Sequence, residues 1–434
     1  MSHASPTVDI RPEPSKLFRW IVLLVVSVPI FGNYYVYDCI EPIADLLSKQ
    51  LHFSDKQIGL LQGIYSAPNV IMVLIGGLIV DRIGTRRALT LFASICLVGA
   101  VVTVLSPQLP VMATGRLLFG LGAESLIVAV TTAVAKWFRG KELSFAFGIN
   151  LMLARFGTLL AQTSPTWAKA AYAGWRMPLQ IAVGFAVVSL IGAIVYWILE
   201  AYAERRCSLG EGSTDKVVFS DIFKFGVSYW YIVALCIVFY SAIFPFETFG
   251  IKFFMDAHGA SRQLGGNLLG MLTLFTMFGT PLFGFFVDRI GKRALLMMFG
   301  SVLLIPVYLM MGYTNISLYV PMAMMGFAFA LIPAVMWPSV AYIVGQEKLG
   351  TAYGLMTMIQ NIGLFGFNVI IGSANTYAGA SATNPQGYRL GMQIFSILGF
   401  LGLTFAFLLR QRELGPHGHG LETITTEHPA AEAA

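Results

Sequence analysis

Three ionisable residues lie well inside apolar runs of this chain: Arg116, Glu124 and Arg155, all within GRLLFGLGAESLIVAVTTAVAKWFRGKELSFAFGINLMLARFG, Gly115 to Gly157. Charge at the middle of a membrane helix costs about 2.5 to 3.5 kcal/mol on insertion scales, so it faces a bundle interior or a polar cavity and marks a pathway. The stretch reads as two helices joined by a short basic turn. At 1.5 Å per residue Glu124 stands about 17 Å from the turn end of its helix near Ala135, and Arg155 about 20 Å from Glu142. The two charges therefore share a depth. Arg155, Thr158 and Gln162 follow i, i+3, i+7 spacing and give their helix one polar stripe, as Glu124 and Thr131 do for theirs. A carboxylate and a guanidinium facing one cavity suit a zwitterion, such as a small peptide with its amine and carboxylate at a fixed separation. The alternative is that Glu124 and Arg155 pair with each other as a structural bridge.

The elements that must position these residues are legible from composition. Of 434 residues 56% are hydrophobic and 12% charged, and the mean hydropathy is +0.73, against roughly 25% charged residues in an average soluble domain. Apolar runs of about 20 residues, enough to cross a hydrocarbon core as helices, recur with little between them. Twelve spans are expected, starting near Leu17, Lys56, Arg87, Leu109, Glu142, Met177, Tyr229, Leu264, Ala294, Leu318, Gly350 and Tyr388. The fold class is all-α membrane protein. One polar interruption, 204–228, divides a six-span half at 17–203 from another at 229–412; the tails, 1–16 and 413–434, are expected to be disordered. The net charge of +6 bears on topology here and does not imply nucleic acid. With the N-terminus on one side, that side carries 19 of the 28 lysines and arginines and the other only seven. The positive-inside rule then puts both termini in the cytoplasm.

The halves echo each other. GLIVDRIGTRR (Gly77 to Arg87) is answered by GFFVDRIGKR (Gly284 to Arg293), and KELSFAFG, ending at Gly148, by EKLGTAYG, ending at Gly354. A repeat of about 206 residues, six spans long, is the signature of duplicated transporter halves with the substrate site between them. At that offset Arg155 falls on Asn361 and Glu124 on Ala330, so fixed charge belongs to the first half alone. Gln360 and Asn361 can then bond a peptide backbone or serve as helix-packing amides.

The DRxG turns resemble the signature loop of the major facilitator superfamily, and Arg116 with Gly120 and Gly122 resembles that superfamily's RxxxGxG motif. The resemblance implies two pseudo-symmetric six-helix bundles with gating roles for Asp81, Arg82, Arg116, Asp288 and Arg289. FGNYYVYD (Phe31 to Asp38), GRLLFGLGAESL (Gly115 to Leu126), FPF (Phe244 to Phe246) and LGTAYGLMTMIQNIGL (Leu349 to Leu364) narrow it to the superfamily's lysosomal dipeptide uniporters. In that group the glutamate of GxESL and the arginine of the fifth helix contact the dipeptide, which implies those roles for Glu124 and Arg155. Tyr34, Tyr37, Asp38 and Phe246 are candidate cavity residues, and Pro245, lacking an N–H, can bend the seventh helix as a gate. Glu247 stands where an apolar residue is expected in the group; it could carry a proton or snorkel.

Other classes lack residues. There is no GxxxxGK[ST], GxSxG or HExxH, none of the six histidines is mid-helix, and Cys39, Cys96, Cys207 and Cys236 form no CxxC, so no enzyme, metal or cofactor is expected. The expected partners are a dipeptide and the bilayer, and the expected state is a monomer. An ExxER-type motif of proton-coupled peptide carriers is absent from the first helix, which favours uniport; a carrier of another small organic anion or drug, proton-coupled or not, is the competing reading. Without an acidic-dileucine signal, a bacterial inner membrane is expected over a lysosomal one.

Overall fold

The computed structural model describes residues 12–138, 142–209, 225–416 and 418–425. Twelve helices in it are long and apolar enough to cross a membrane: α1 (Lys16–Leu51), α2 (Asp55–Ile83), α3 (Thr85–Leu105), α4 (Leu109–Phe138), α5 (Leu143–Trp167), α6 (Arg176–Arg206), α7 (Val227–His258), α8 (Arg262–Ile290), α9 (Arg293–Tyr313), α10 (Tyr319–Ile343), α11 (Gln346–Tyr377) and α12 (Pro385–Glu413). The face on which α1 begins and α12 ends is here called the base; the opposite face is the crown. Side chains chosen for capping start several helices. Ser15 accepts from the Phe18 amide at 3.3 Å, Ser261 from Leu264 at 3.1 Å, and Ser54 forms a reciprocal box with Gln57 at the start of α2.

Each half is a bundle of six. In the first, α1 packs on α5 and α6, and α3 on α4; in the second, α7 packs on α11 and α12, and α9 on α12. Close approach is set by small residues, because lipid tails give apolar helices no reason to prefer one another. Gly157 of α5 lies against the Phe31 carbonyl of α1, and its repeat partner Gly363 of α11 lies against Ile237 and Ser241 of α7, so a Cβ at either would strike the neighbouring helix. Large apolar side chains such as Leu17, Leu78, Phe278 and Leu282 are exposed, as lipid-facing residues should be.

α1 and α2 are interrupted. A 3-10 turn at Glu41–Ile43 breaks α1 below the crown, and α2 is two helices, Asp55–Gly63 and Ser66–Ile83. Arg116 accounts for the first break. It is 1% exposed and donates to the carbonyls of Val36 (2.8 Å) and Tyr37 (2.9 Å) and to Gln62 Oε1 (2.8 Å). A cation thus caps carbonyls that the helix end leaves unpaired.

The base of the first half is fastened from within. Glu200 of α6, fully buried, accepts from Thr85 Oγ1 at 2.6 Å and Lys136 Nζ at 2.7 Å. In the second half the chain after α12 does this work: Arg293 N–H donates to the Leu421 carbonyl at 3.0 Å and Lys292 N–H to that of Glu422 at 3.3 Å. Arg293 Nη1 reaches the Ile424 carbonyl at 2.7 Å, and the Glu422 carboxylate accepts from the Leu295 amide at 3.2 Å. Leu421 is wholly buried. Residues 418–425 therefore depart from the disorder expected of the tail, because the start of α9 offers unpaired N–H groups and a slot for one leucine. Likewise α6 runs to Arg206, into the stretch expected to be linker; residues 210–224 of that linker, and 1–11 of the first tail, lie outside the described residues.

Candidate functional site

Glu124 and Arg155 come together around one polar-aromatic circuit. Glu124 Oε1 accepts from the Tyr65 hydroxyl at 3.2 Å. The Tyr65 ring lies 4.7 Å from that of Tyr37, which meets Phe244 at 6.3 Å. Phe244 stands edge-on to Phe329 at 5.8 Å. The circuit closes on Arg155, whose guanidinium lies 5.5 Å over the Phe329 ring and 5.8 Å over that of Tyr34. Tyr34 is within electrostatic reach of both Arg155 and Glu124. Six helices from both halves, α1, α2, α4, α5, α7 and α10, contribute.

The two charges are not spent on each other. Among the described residues Glu124 has Tyr65 as its hydrogen-bond partner, and Arg155 has ring contacts but no ion pair. Both are half-buried and open to solvent. A guanidinium held by π faces keeps its in-plane N–H donors free for an incoming anion.

The other sequence-derived candidates divide by depth. Thr158 and Asp38, both buried, face each other nearer the crown. Gln162 is fully buried and ties the halves together: its amide nitrogen donates to Glu41 Oε2 (3.2 Å) and Glu247 Oε1 (3.3 Å), while its oxygen accepts from Thr273 (2.6 Å). Phe246 lies away from the circuit, in the core of the second bundle against Tyr308 and Phe395. Phe244, two residues earlier and so on another face of α7, takes the circuit position instead. Pro245 is buried and α7 is continuous through it. Asn361 donates to its own helix, to Thr357 O at 3.0 Å, and its Oδ1 is buried without a partner; Gln360 is half-buried.

At the base, the glycines of the two DRxG turns take left-handed backbone, Gly84 at φ 81° and Gly291 at φ 66°, where a side chain would be strained. Asp81, Arg82, Asp288 and Arg289 are exposed there. Asp288 pairs with Arg293 at 3.3 Å, and Arg289 stacks 4.3 Å over Phe285, both within the second half.

The crown is closed by ion pairs between the halves. Lys252 of α7 bonds Asp55 of α2 at 2.7 Å, and Arg262 of α8 bonds Asp45 of α1 at 2.6 Å. Thr376 accepts from the Lys56 amide at 2.9 Å. Asp45, Asp55, Lys252 and Asp256 also line an outer cavity of about 440 Å³ above this closure, separate from the circuit. Sequence reasoning counted Lys252 and Arg262 only as marks of topology and missed Tyr65, Phe329 and Glu41. Tyr240 and Phe244, one helical turn apart on α7 and stacked at 5.7 Å, were the available signal.

Twelve spans in two like bundles, with a charged site at their interface and a closure at one end, make this a carrier, and the chain belongs to the major facilitator superfamily: its family model matches residues 26–366 and again 248–432. Among its relatives, the lysosomal dipeptide transporter MFSD1 of Danio rerio is 31% identical over 85% of this chain and 84% of its own length, and that of Homo sapiens is 30% identical over 93% and 89%. The hexuronate transporter of Escherichia coli (strain K12) is 22% identical over 89% and 93%. In fold, the chain is similar to a bacterial homologue of the human lysosomal transporter Spinster, crystallised in an inward-facing and occupied conformation. The TM-score is 0.74 at 18% identity, covering 92% of this chain and 98% of that one.

Proposed function

We propose that this carrier moves dipeptides by alternating access as a uniporter, with Glu124 holding the peptide amine and Arg155 the carboxylate. The observation that carries the reading is the pair of half-buried, mutually unpaired charges of opposite sign on one aromatic circuit. A bound zwitterion supplies each with the counter-charge it lacks. An anion such as a hexuronate would leave the Glu124 carboxylate facing like charge, which costs affinity. The relatives named for dipeptide transport, at about 30% identity, agree with this choice.

The crown is then the outer face and the base the cytoplasmic one, as the excess of lysine and arginine at the base favours. On this reading the protein works as a monomer in the cell membrane of a bacterium, and the closed crown corresponds to its inward-facing state. Substrate leaving toward the base would let the crown pairs break and the DRxG turns at Asp81 and Asp288 govern closure of the base.

Proteoliposomes loaded with unlabelled dipeptide and given labelled dipeptide outside, at equal pH on both sides, test the reading. Exchange without a pH gradient is expected. Uptake of hexuronate but not of any dipeptide would overturn the substrate; uptake only under an imposed proton gradient would overturn uniport.

A further inference from the structure

We infer that the crown closure contains a proton-binding site, in which Asp38, Glu41 and Glu247 share one proton taken up from the outer compartment on closing and returned to it on opening. Glu41 Oε2 and Glu247 Oε1 both accept from the same Gln162 nitrogen, at 3.2 and 3.3 Å, so the two oxygens lie no farther apart than those two distances together. Asp38 is in electrostatic contact with both carboxyls. The four residues are sealed from either side, Asp38 being 2%, Glu41 1%, Glu247 3% and Gln162 0% exposed.

The groups facing the cluster neutralise it only in part. Arg116 of α4 commits its donors to the Val36 and Tyr37 carbonyls and Gln62. Arg155 of α5 is the other cation within reach and lies against the Tyr34 and Phe329 rings. The remaining neighbours, Tyr34, Tyr37 and Cys39 of α1 and Tyr308 of α9, are uncharged phenol and thiol groups. Three carboxyls thus face two guanidiniums, and one proton balances the count.

The Asp38 and Glu41 carboxyls lie close enough to interact as donor and acceptor, and two carboxyls can do so only when one of them carries a proton. Among the described residues no three acidic, histidine or cysteine side chains converge closely enough to hold a metal ion. A proton is the ligand that suits paired carboxyls.

Its link to gating follows from which bonds cross between the halves. Gln162 belongs to α5, whereas Glu247 and Thr273 belong to α7 and α8. Opening the crown breaks both bonds and carries Glu247 away from Glu41 and Asp38 into water, where all three ionise. Because the cluster is sealed from the base in the closed state, the proton leaves the way it came. The device is thus compatible with uniport: outer acidity favours the closed crown without proton transfer across the membrane. For one linked proton the open-to-closed ratio changes by at most tenfold per pH unit.

The distance measurement needs no solute, so its failure is distinguishable from failure of the dipeptide assignment, on which the proton site does not rest; only the last arm, on the direction of proton release, uses a transported solute. Full-length protein in nanodiscs, with Cys207→Ser and spin labels at Lys49→Cys and Thr383→Cys on the crown rim, is followed by distance measurement from pH 5 to 9. The open fraction is expected to rise with pH in this parent. Glu247→Gln and Glu41→Gln should each flatten that rise, while the exposed Glu347→Gln should not. A parent insensitive to pH, or both cluster variants retaining its full dependence, would overturn the site. A ratio set by sodium at fixed pH would overturn the proton as ligand. In vesicles containing a pH dye, one proton entering per solute would overturn its return to the outer side.

Discussion

Neutralising Glu124 or Arg155 should cost affinity in a way that depends on the ligand's ends. Arg155 is held by two rings at 5.5 and 5.8 Å and Glu124 by one hydroxyl at 3.2 Å, so neither loses an ion pair within the protein when its partner is changed. What Glu124→Gln or Arg155→Gln removes is a charge-assisted hydrogen bond to the ligand, worth about 1.5 to 3 kcal/mol. At 1.4 kcal/mol per factor of ten this is roughly a tenfold to hundredfold loss for a free dipeptide. A dipeptide with an acetylated amine has already forfeited the Glu124 contact, so Glu124→Gln should change its Kd little while Arg155→Gln keeps its full effect. An amidated carboxyl terminus should reverse the pattern. Calorimetric Kd values for the parent and both variants with free, acetylated and amidated forms of one dipeptide complete the comparison. A uniform loss over all three ligands would refute the assignment of amine to Glu124 and carboxylate to Arg155.

Asp81→Asn should slow exchange in proteoliposomes more than it weakens dipeptide binding, since the turn acts on the balance between access states; unchanged exchange would refute this. Lys252→Met breaks a buried pair with Asp55, a change costing about 3 to 5 kcal/mol, and should shift the crown toward its open state, read from the outer side as faster labelling of Thr158→Cys, a position buried beneath the closure. Phe244→Ala should weaken binding more than Phe246→Ala, whereas Phe246→Ala should lower the melting temperature more, because Phe246 lies in the bundle core. Leu421→Ala should destabilise by about 2 to 5 kcal/mol, as for other buried leucines, and a melting temperature unchanged from the parent would show that the tail does not fasten the second bundle.

The twelve helices, their division into like halves and the opposed charges were readable because each rests on a repeated or costly pattern: apolar runs, a period near 206, charge in lipid. What was hidden depends on helix phase. Gln162 shares a stripe with Arg155 but lies two turns nearer the crown, where the same face meets α8 instead of the circuit. Phe244 and Phe246 differ by about 200° around α7, and an all-apolar helix gives no signal to choose between them. The crown pairs join residues such as Asp55 and Lys252, whose meeting depends on how the bundles close. Glu41 follows the helical break that Arg116 caps, a conjunction visible only in three dimensions.

The two bundles also differ in when they can be completed. The buried glutamate that secures the first, Glu200, is part of its own sixth helix and arrives with it. The second has its counterpart, Glu422, nine residues beyond α12, so during synthesis this bundle must insert all six helices before its base can be fastened. A nascent chain paused at α12 would hold a finished first half beside a second half with the start of α9 still uncapped. Any fusion partner added to this end would therefore need to begin past residue 425, leaving the last strut free to reach its place.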